Sequence, residues 1–578
     1  MCILNICQIS TIIIMCGIWG YIGKNINKST AYKAFDKIKH RGPDNSTLKI
    51  IKNIGYIGFH RLNVINNSTL GNQPFIENYT YITNTTNTTN TTNTTNTTKT
   101  TNATYTTCNG EIYNHKDLLS NNKVSDCYVI PHIYKMGQDP YKYINGEYAY
   151  SIIDVHQDNT FDLQLANDHL GIRPLFYAIN SNGIGWSSEV KGLLDIFPGE
   201  YIKRFPPGCY LDINNHMINQ QPTPTPIPIP IPIPIPIPMP YTSLQNITHK
   251  ITNQKDAILL IENTLTECVY KMIMSDRPIG CLLSGGLDSS IISTLVSLKL
   301  KETGKQLKTF SVGIENSTDE YYAKKVSRYI DSDHTHFKFT TQEFLNAIPE
   351  VINAIESYDT TTVRASVGQY LVAKKIKETT DIKVLLVGDG SDELTSGYIY
   401  SHNAPNSDEL HKDSRRLLRQ IHLYDVLRAD RCVAAHGIET RVPFLHKEFV
   451  DLYLSICPTL RNPNYQSPPI EKWLLRKAFE KYLPKEVTWR KKEAFSDGVS
   501  GVNNSWFEAI QNSINHNIFD DTLLKINNPP LTLEAMYYRT IFRELFPECD
   551  HLIPRYWLPK WSGETSEPSA RVLKNYTA

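Results

Sequence analysis

The chain has 578 residues, too many for one hydrophobic core, so two large domains are expected. Its 59 Lys and Arg nearly cancel its 58 Asp and Glu; a formal net charge of +1 leaves no field to draw nucleic acid or an anionic membrane surface. Eleven cysteines without a compact repeating spacing do not make a disulfide framework, and no apolar run reaches the roughly 18–20 residues that cross a bilayer, so a reducing, cytoplasmic setting without membrane insertion is expected.

Residues 1–14, MCILNICQISTIII, are apolar but have neither a basic start nor a small-residue cleavage site. Residues 1–15 therefore read as an upstream extension or a mis-assigned start. From Cys16 to 220, short alternating runs such as GYIGFHRL, EYAYSIID, FDLQLAND and GIGWSSEV predict a strand-rich domain. An Asn-Thr-Thr repeat interrupts it at 83–107 and reads as a solvated loop or a long hairpin excursion. At 221–240 alternating Ile and Pro exclude helix and central strand and predict an extended spacer, which sets the domain boundary.

From 241 to 560 helical patterns alternate with apolar strands: helix KDAILLIENTLTECVYKMI, strand IGCLL, helix SSIISTLVSLKL, strands LKTFSVG and KVLLVG. That alternation predicts a parallel, helix-covered sheet, followed by a tail at 561–578. The stretch CLLSGGLDSS, Cys281–Ser290, runs a buried strand through Ser284-Gly285-Gly286 into a helix. Glycines let backbone approach an anion and the helix N-terminus offers free N–H groups to it. Asp288 fits such a place if a cation such as Mg²⁺ sits between carboxylate and phosphate; a plain glycine turn with an Asp/Ser cap is the bland reading. A second loop, LLVGDGSDELTSGY, adds Asp389, Asp392 and Glu393, and two acidic, glycine-rich loops at parallel strand ends suit a metal–pyrophosphate site.

Thirteen strings in order carry a resemblance: MCGIWG, HRGPD, HRL, NGEIYN, SDC, DHLGIRPLFY, FPPG, SGGLDSS, TTVRAS, GDGSDE, HGIETRVPFL, EKWLLRKAF and FSDGV. From Met15 to about Pro547 the chain resembles the glutamine-dependent asparagine synthetases. The resemblance implies an N-terminal αββα sandwich of the Ntn-hydrolase type and a C-terminal α/β nucleotide-binding domain with a helical extension. It implies that glutamine, aspartate and ATP are substrates, with Mg²⁺, and that asparagine forms through β-aspartyl-AMP. A homodimer is a possible assembly; a drifted paralogue with weak or ammonia-only synthesis is the competing reading.

Carried onto this chain, Cys16 is the expected nucleophile with its own α-amine as base, and Asn109 and Gly110 form the oxyanion hole. Arg61 pairs with the glutamine carboxylate, and Glu111 and Asp126 hold its α-ammonium. Leu283, Val312, Val387 and Gly388 line the nucleotide pocket; Ser284, Gly285, Gly286 and Ser289 hold pyrophosphate; Asp288 and Asp392 hold the metal. Lys472 stabilises developing charge, Asp389 handles a proton, and Arg364 is a further candidate for contact with aspartate or phosphate. The chain departs from the family pattern at Asp389 (usually Glu), Val387 (Ser), Asn167 (Arg) and His446 (Asp). An α-amine can serve as base only if Cys16 is the first residue, which requires Met15 to be the working start or the extension to be removed.

Overall fold

The computed structural model describes residues 16–573 except 24–25, 65–68, 90–91, 120–124, 215–235, 243, 245–246, 316, 502–504, 515–520 and 564; at 80–101, 521 and 522 it describes backbone alone. The extension before Cys16 and most of the expected Ile/Pro spacer lie outside the described residues.

Two six-stranded antiparallel sheets build the amino-terminal half. One runs in the spatial order Ile202–Arg204, Phe176–Asn180, Gly183–Ser187, Gly17–Gly23, Gly55–Arg61, Asn45–Ile51. The other runs Met239–Pro240, Cys209–Asn214, Phe161–Asn167, Gly146–Val155, Thr92–Ile112, Phe75–Thr89. Alternate residues of each strand point into a shared layer, where Ile18, Ile57 and Phe59 meet Ile153, Leu163 and Leu211. Helix Lys28–Asp36, capped by the Asn27 side chain, lays Ala31, Ala34 and Phe35 on the outer face of the first sheet beside Trp19. Helix Val129–Lys135 lays Val129, Ile130 and Ile133 against Cys108, Tyr150 and Ile152 outside the second. The layering is αββα.

The Asn/Thr repeat is strand. Backbone pairing runs from Phe75 opposite Thr106 to Thr89 opposite Thr92, so the ladder satisfies the peptide groups of a segment with little to bury. That is the hairpin of the two expected forms, whereas the end of the Ile/Pro segment differs from the expected spacer: Met239–Pro240 pairs with Cys209 and Tyr210. It does so at a sheet edge, where the missing N–H of proline does no harm.

The carboxy-terminal half is built on a parallel sheet in the order Asp333–Phe339, Lys308–Ile314, Ile279–Leu282, Val384–Leu386, Glu439–Arg441. Helices Gln254–Met272 and Leu287–Lys301 cover one face with Leu283 and Leu386 beneath them; helices Thr341–Ile355 and Thr360–Thr379 cover the other over Phe310 and Leu385. From the first strand, Ile279–Leu282, the chain builds outward on one side and then crosses to the other. The strand order therefore reverses beside that strand, and a crevice opens at its carboxyl end.

A buried band of charge joins the halves. Arg41 meets Glu189 and Asp430 at 2.9 and 2.8 Å, Arg173 meets Glu147 at 2.8 Å and Asp430 at 3.3 Å, and Arg431 meets Glu356 at 2.9 Å. Glu356 also accepts from the backbone N–H groups of Val190 and Lys191. Buried ions persist only when paired in this way.

Candidate functional site

Cys16 stands just before strand Gly17–Gly23, against the end of Gly55–Arg61. The Leu62 N–H donates to its sulfur at 3.5 Å, and the thiol faces the Leu62 carbonyl at 3.8 Å. Burial pushes the thiol well above its ordinary range; the Leu62 N–H opposes this, Glu439 and Glu111 add to it, and Arg61 again opposes. A thiol so placed attacks only if a base takes its proton. The Arg41 Nε donates to the Cys16 carbonyl at 3.1 Å, so the same guanidinium that binds Asp430 fixes the backbone of Cys16.

Asn109 and Gly110 lie near the end of strand Thr92–Ile112. The Asn109 amide nitrogen is buried without a partner, a donor awaiting an acceptor. Gly110 has φ +141°, and a Cβ there would fall 1.9 Å from the Glu147 carbonyl oxygen, so only glycine fits. Arg61 Nη1 donates to the Asn72 side chain at 2.7 Å, and Gly71 leaves room for its other nitrogen. Asp126 accepts from the Ile112 N–H at 2.7 Å, which brings its carboxylate up to Glu111. One Glu111 oxygen is buried and unpartnered; burial, then Asp126 and Glu439, raise this carboxyl well above its usual range, with Arg441 opposing. Two carboxylates forced together in a dry place favour a cation between them.

The second site fills the crevice. A cavity of about 220 Å³ there is lined by Leu283, Ser284, Gly286, Asp288, Ser289, Val312, Val387, Gly388, Asp389, Asp392 and Lys472. Gly285 does not line it: with φ +76° it turns the loop against helix Thr318–Ile330, where a Cβ would strike the Ala323 nitrogen. The Lys472 Nζ lies 2.6 Å from Asp288 and 2.5 Å from Asp392, while Lys492 reaches the other Asp392 oxygen at 2.5 Å. Burial alone would raise the Asp392 carboxyl, but Lys472 and Lys492 hold it well below the usual range. Lys472 is the residue preceding helix Trp473–Phe479, in the left-handed region at φ 58°, a conformation costing about 1–2 kcal/mol that turns its amine toward both aspartates. Gly397 makes room, since a Cβ there would lie 1.9 Å from the Lys472 Cε. Asp389 pairs with Arg428 at 2.5 Å; burial raises its carboxyl and Arg428 opposes the rise.

Arg364, a candidate substrate contact by sequence, is committed elsewhere. Glu534 and Glu567 clamp its guanidinium, with nitrogen–oxygen distances of 2.5 Å. Glu567 belongs to the expected tail, whose Pro568, Ala570 and Leu573 line the cavity, so that segment covers the site rather than trailing from it.

Family comparisons decide what this pair of sites amounts to. Two glutamine amidotransferase domain models match residues 15–89 and 96–195, and the asparagine synthase model matches 260–413 and 401–572. The asparagine synthetase [glutamine-hydrolyzing] of Bos taurus is 37% identical over 98% of this chain and 99% of its own length, and that of Gallus gallus is 38% identical over 97% and 99%. The chain belongs to the glutamine-hydrolysing asparagine synthetase family. Among solved structures, NMN synthetase from Francisella tularensis aligns at TM-score 0.24 and 10% identity over 53% of this chain and 99% of its own, too weak a likeness to add anything.

Against the family pattern, Asn167 leaves its buried side-chain oxygen without a partner and lines, with Asp430, Arg204 and Arg431, a void of about 10 Å³. Lys492, Arg428, Gly397, Glu439 and Arg441 are site residues that sequence reasoning missed. Glu439 and Arg441 sit in HGIETRVPFL, a string already noted, and strand Glu439–Arg441 carries them to the seam, where Arg441 lies 3.7 Å from Glu111. Among the described residues no helix is long and apolar enough to cross a membrane.

Proposed function

We propose that the amino-terminal site releases ammonia from glutamine and that the crevice adenylates aspartate with ATP, ammonia then displacing AMP to give asparagine, with glutamate and pyrophosphate as the other products. In the first site the Cys16 thiol attacks the glutamine amide carbon, its proton passing to the α-amine of a chain that begins at Cys16. The Asn109 amide and the Gly110 N–H receive the developing oxyanion, worth about 3 kcal/mol per donor. Arg61 takes the substrate carboxylate, and Glu111 with Asp126 takes its ammonium, relieving the repulsion between them.

The observation that carries the second half is the convergence of Asp288 and Asp392 on the Lys472 amine within the crevice cavity. Two carboxylates meeting at a point, with the Ser391 hydroxyl donating to Asp288 at 2.8 Å, form the hard oxygen set that Mg²⁺ takes beside phosphates. Bound there, Mg²⁺ would neutralise charge on the leaving pyrophosphate. Ser284, Gly286 and Ser289 cradle that group at the helix N-terminus, Leu283, Val312, Val387 and Gly388 border the nucleoside, and Lys472 turns to the reacting phosphate. Asp389, held by Arg428, would take the proton that an attacking ammonia sheds. The nine free cysteines among the described residues suit a reducing, cytoplasmic setting.

Product analysis tests the reading. ATP, aspartate and ammonium should yield AMP and asparagine in equal amounts, and glutamine in place of ammonium should add one glutamate per asparagine. Formation of ADP and phosphate would refute it.

A further inference from the structure

Away from both sites, Cys268, His446 and Glu448 bring a sulfur, an imidazole nitrogen and a carboxylate oxygen within 4.8 Å of one another. Cys268 is fully buried on helix Gln254–Met272; His446 precedes helix Lys447–Ser455 and Glu448 sits in its first turn. The His446 side chain is 3% exposed, and neither ring nitrogen has a hydrogen-bond partner. A neutral imidazole carries one donor and one acceptor, and leaving each buried and unpaired is unfavourable. Its ring packs on Tyr113 at 5.6 Å between centroids, which sets the plane of the imidazole without satisfying its nitrogens.

We propose that Cys268, His446 and Glu448 form a zinc site, with water as the fourth ligand. Thiolate, imidazole and carboxylate together are a zinc donor set, and three protein ligands with one open position make a tetrahedral site. The His-x-Glu spacing comes from one helix start and the cysteine from a second helix, so the ion ties two elements together. On binding, the Zn–S bond forms as the thiol proton leaves to solvent. Glu448 is exposed, and its carboxylate holds the Lys271 amine at 2.6 and 2.8 Å. Lys271 and the ion therefore compete for one carboxylate. Tyr113 and Asn145 reach this spot from the amino-terminal half, the latter 3.4 Å from Glu448, so the ion would staple the synthetase helices beside the seam.

The test uses the full chain, stripped with a chelator and titrated with Co²⁺ and then Zn²⁺. One Co²⁺ per chain should bind with a sulfur-to-cobalt charge-transfer absorption in the near ultraviolet, and Zn²⁺ should abolish the band and raise the melting temperature. Cys268→Ser should lose the band, His446→Asn should weaken Zn²⁺ binding more than about tenfold, and Lys271→Met should tighten it. Absence of a saturable band in the parent chain, or a band that persists in Cys268→Ser, would overturn the proposal; so would Zn²⁺ affinity unaltered in His446→Asn. Asparagine formation in the metal-free chain, measured alongside, reports on the catalytic sites separately.

Discussion

The Arg41 guanidinium grips the Asp430 carboxylate through two hydrogen bonds, 2.8 and 3.1 Å long, across the seam between the halves. Its remaining nitrogen holds the Cys16 carbonyl, so one side chain connects the backbone of Cys16 to the carboxy-terminal half. Asp430→Ala leaves Arg41 short of a partner and strands one end of Arg173. Breaking a buried pair in this way costs about 3–5 kcal/mol. The urea midpoint should fall accordingly, and glutamine-dependent synthesis should drop more than ammonium-dependent synthesis. An unchanged ratio of the two rates would reduce the contact to a purely structural one.

Cys16→Ala is expected to abolish glutamine-dependent synthesis and to leave ammonium-dependent synthesis near the parent rate, since the crevice contains none of the first site's groups. A chain beginning at Cys16 should use glutamine, whereas one retaining residues 1–15 should use only ammonium, because its Cys16 nitrogen is an amide. Equal glutamine activity in the two would show that another base serves.

Lys472→Met removes the only amine that bridges Asp288 and Asp392 among the described residues. Synthesis from either nitrogen source should fall by about 10²–10³-fold, while hydrolysis of glutamine persists. Pre-steady-state measurement of AMP release would place the defect at adenylation; unimpaired AMP release would contradict the assigned role.

Buried neutral histidines oppose folding in acid well above the carboxylate range. His60 is buried and neutral, its ring nitrogens facing the Phe35 carbonyl at 2.9 Å and the Ser46 hydroxyl at 2.8 Å, and burial lowers its pKa to about 4. Burial lowers His422 and His436 to about 3 each. The unfolded chain binds these protons near pH 6.5 and the folded chain does not, so the stability they contribute is fully present above that pH. It declines as pH falls toward 4, by up to about 1.4 kcal/mol per pH unit for each histidine. Between pH 7 and pH 5 the denaturant midpoint of the parent should lose ground relative to that of His60→Gln, and parallel curves for the two would contradict the assignment.

Glu567→Gln weakens one of the two clamps on Arg364 and loosens the segment bearing Pro568, Ala570 and Leu573. The KM for ATP should rise several-fold with a smaller change in kcat, and removing residues 561–578 should do more of the same. Unchanged nucleotide kinetics would mean that the segment covers the cavity without shaping it.

Much of each site is legible in sequence because its chemistry sits in contiguous strings. NGE places an amide donor, a forced glycine and a carboxylate in three successive residues, and SGGLDSS places a cradle and an acid in seven. Lys492 and Arg428 are hidden for the opposite reason. A lone Lys or Arg ordinarily marks a solvated face, and nothing local reveals that Lys492 ends on Asp392, a hundred residues away. The covering segment is equally silent: few apolar residues announce it, and its position depends on Glu567 meeting Arg364 and Arg571 meeting Glu493. The repeat was ambiguous between loop and hairpin, because its composition gives no face to bury while its threonines suit a strand.

That hairpin bears on how the gene can vary. The strand that carries Asn109 and Gly110 is anchored on its inner side by pairing with Gly146–Val155, which begins at Ala103; among the described residues outward of Ala103, its backbone pairs with its own returning arm. Triplet copies gained or lost by replication slippage at the far tip lengthen or shorten an antenna whose root stays fixed. Repeat number can therefore change here while Asn109 keeps its place.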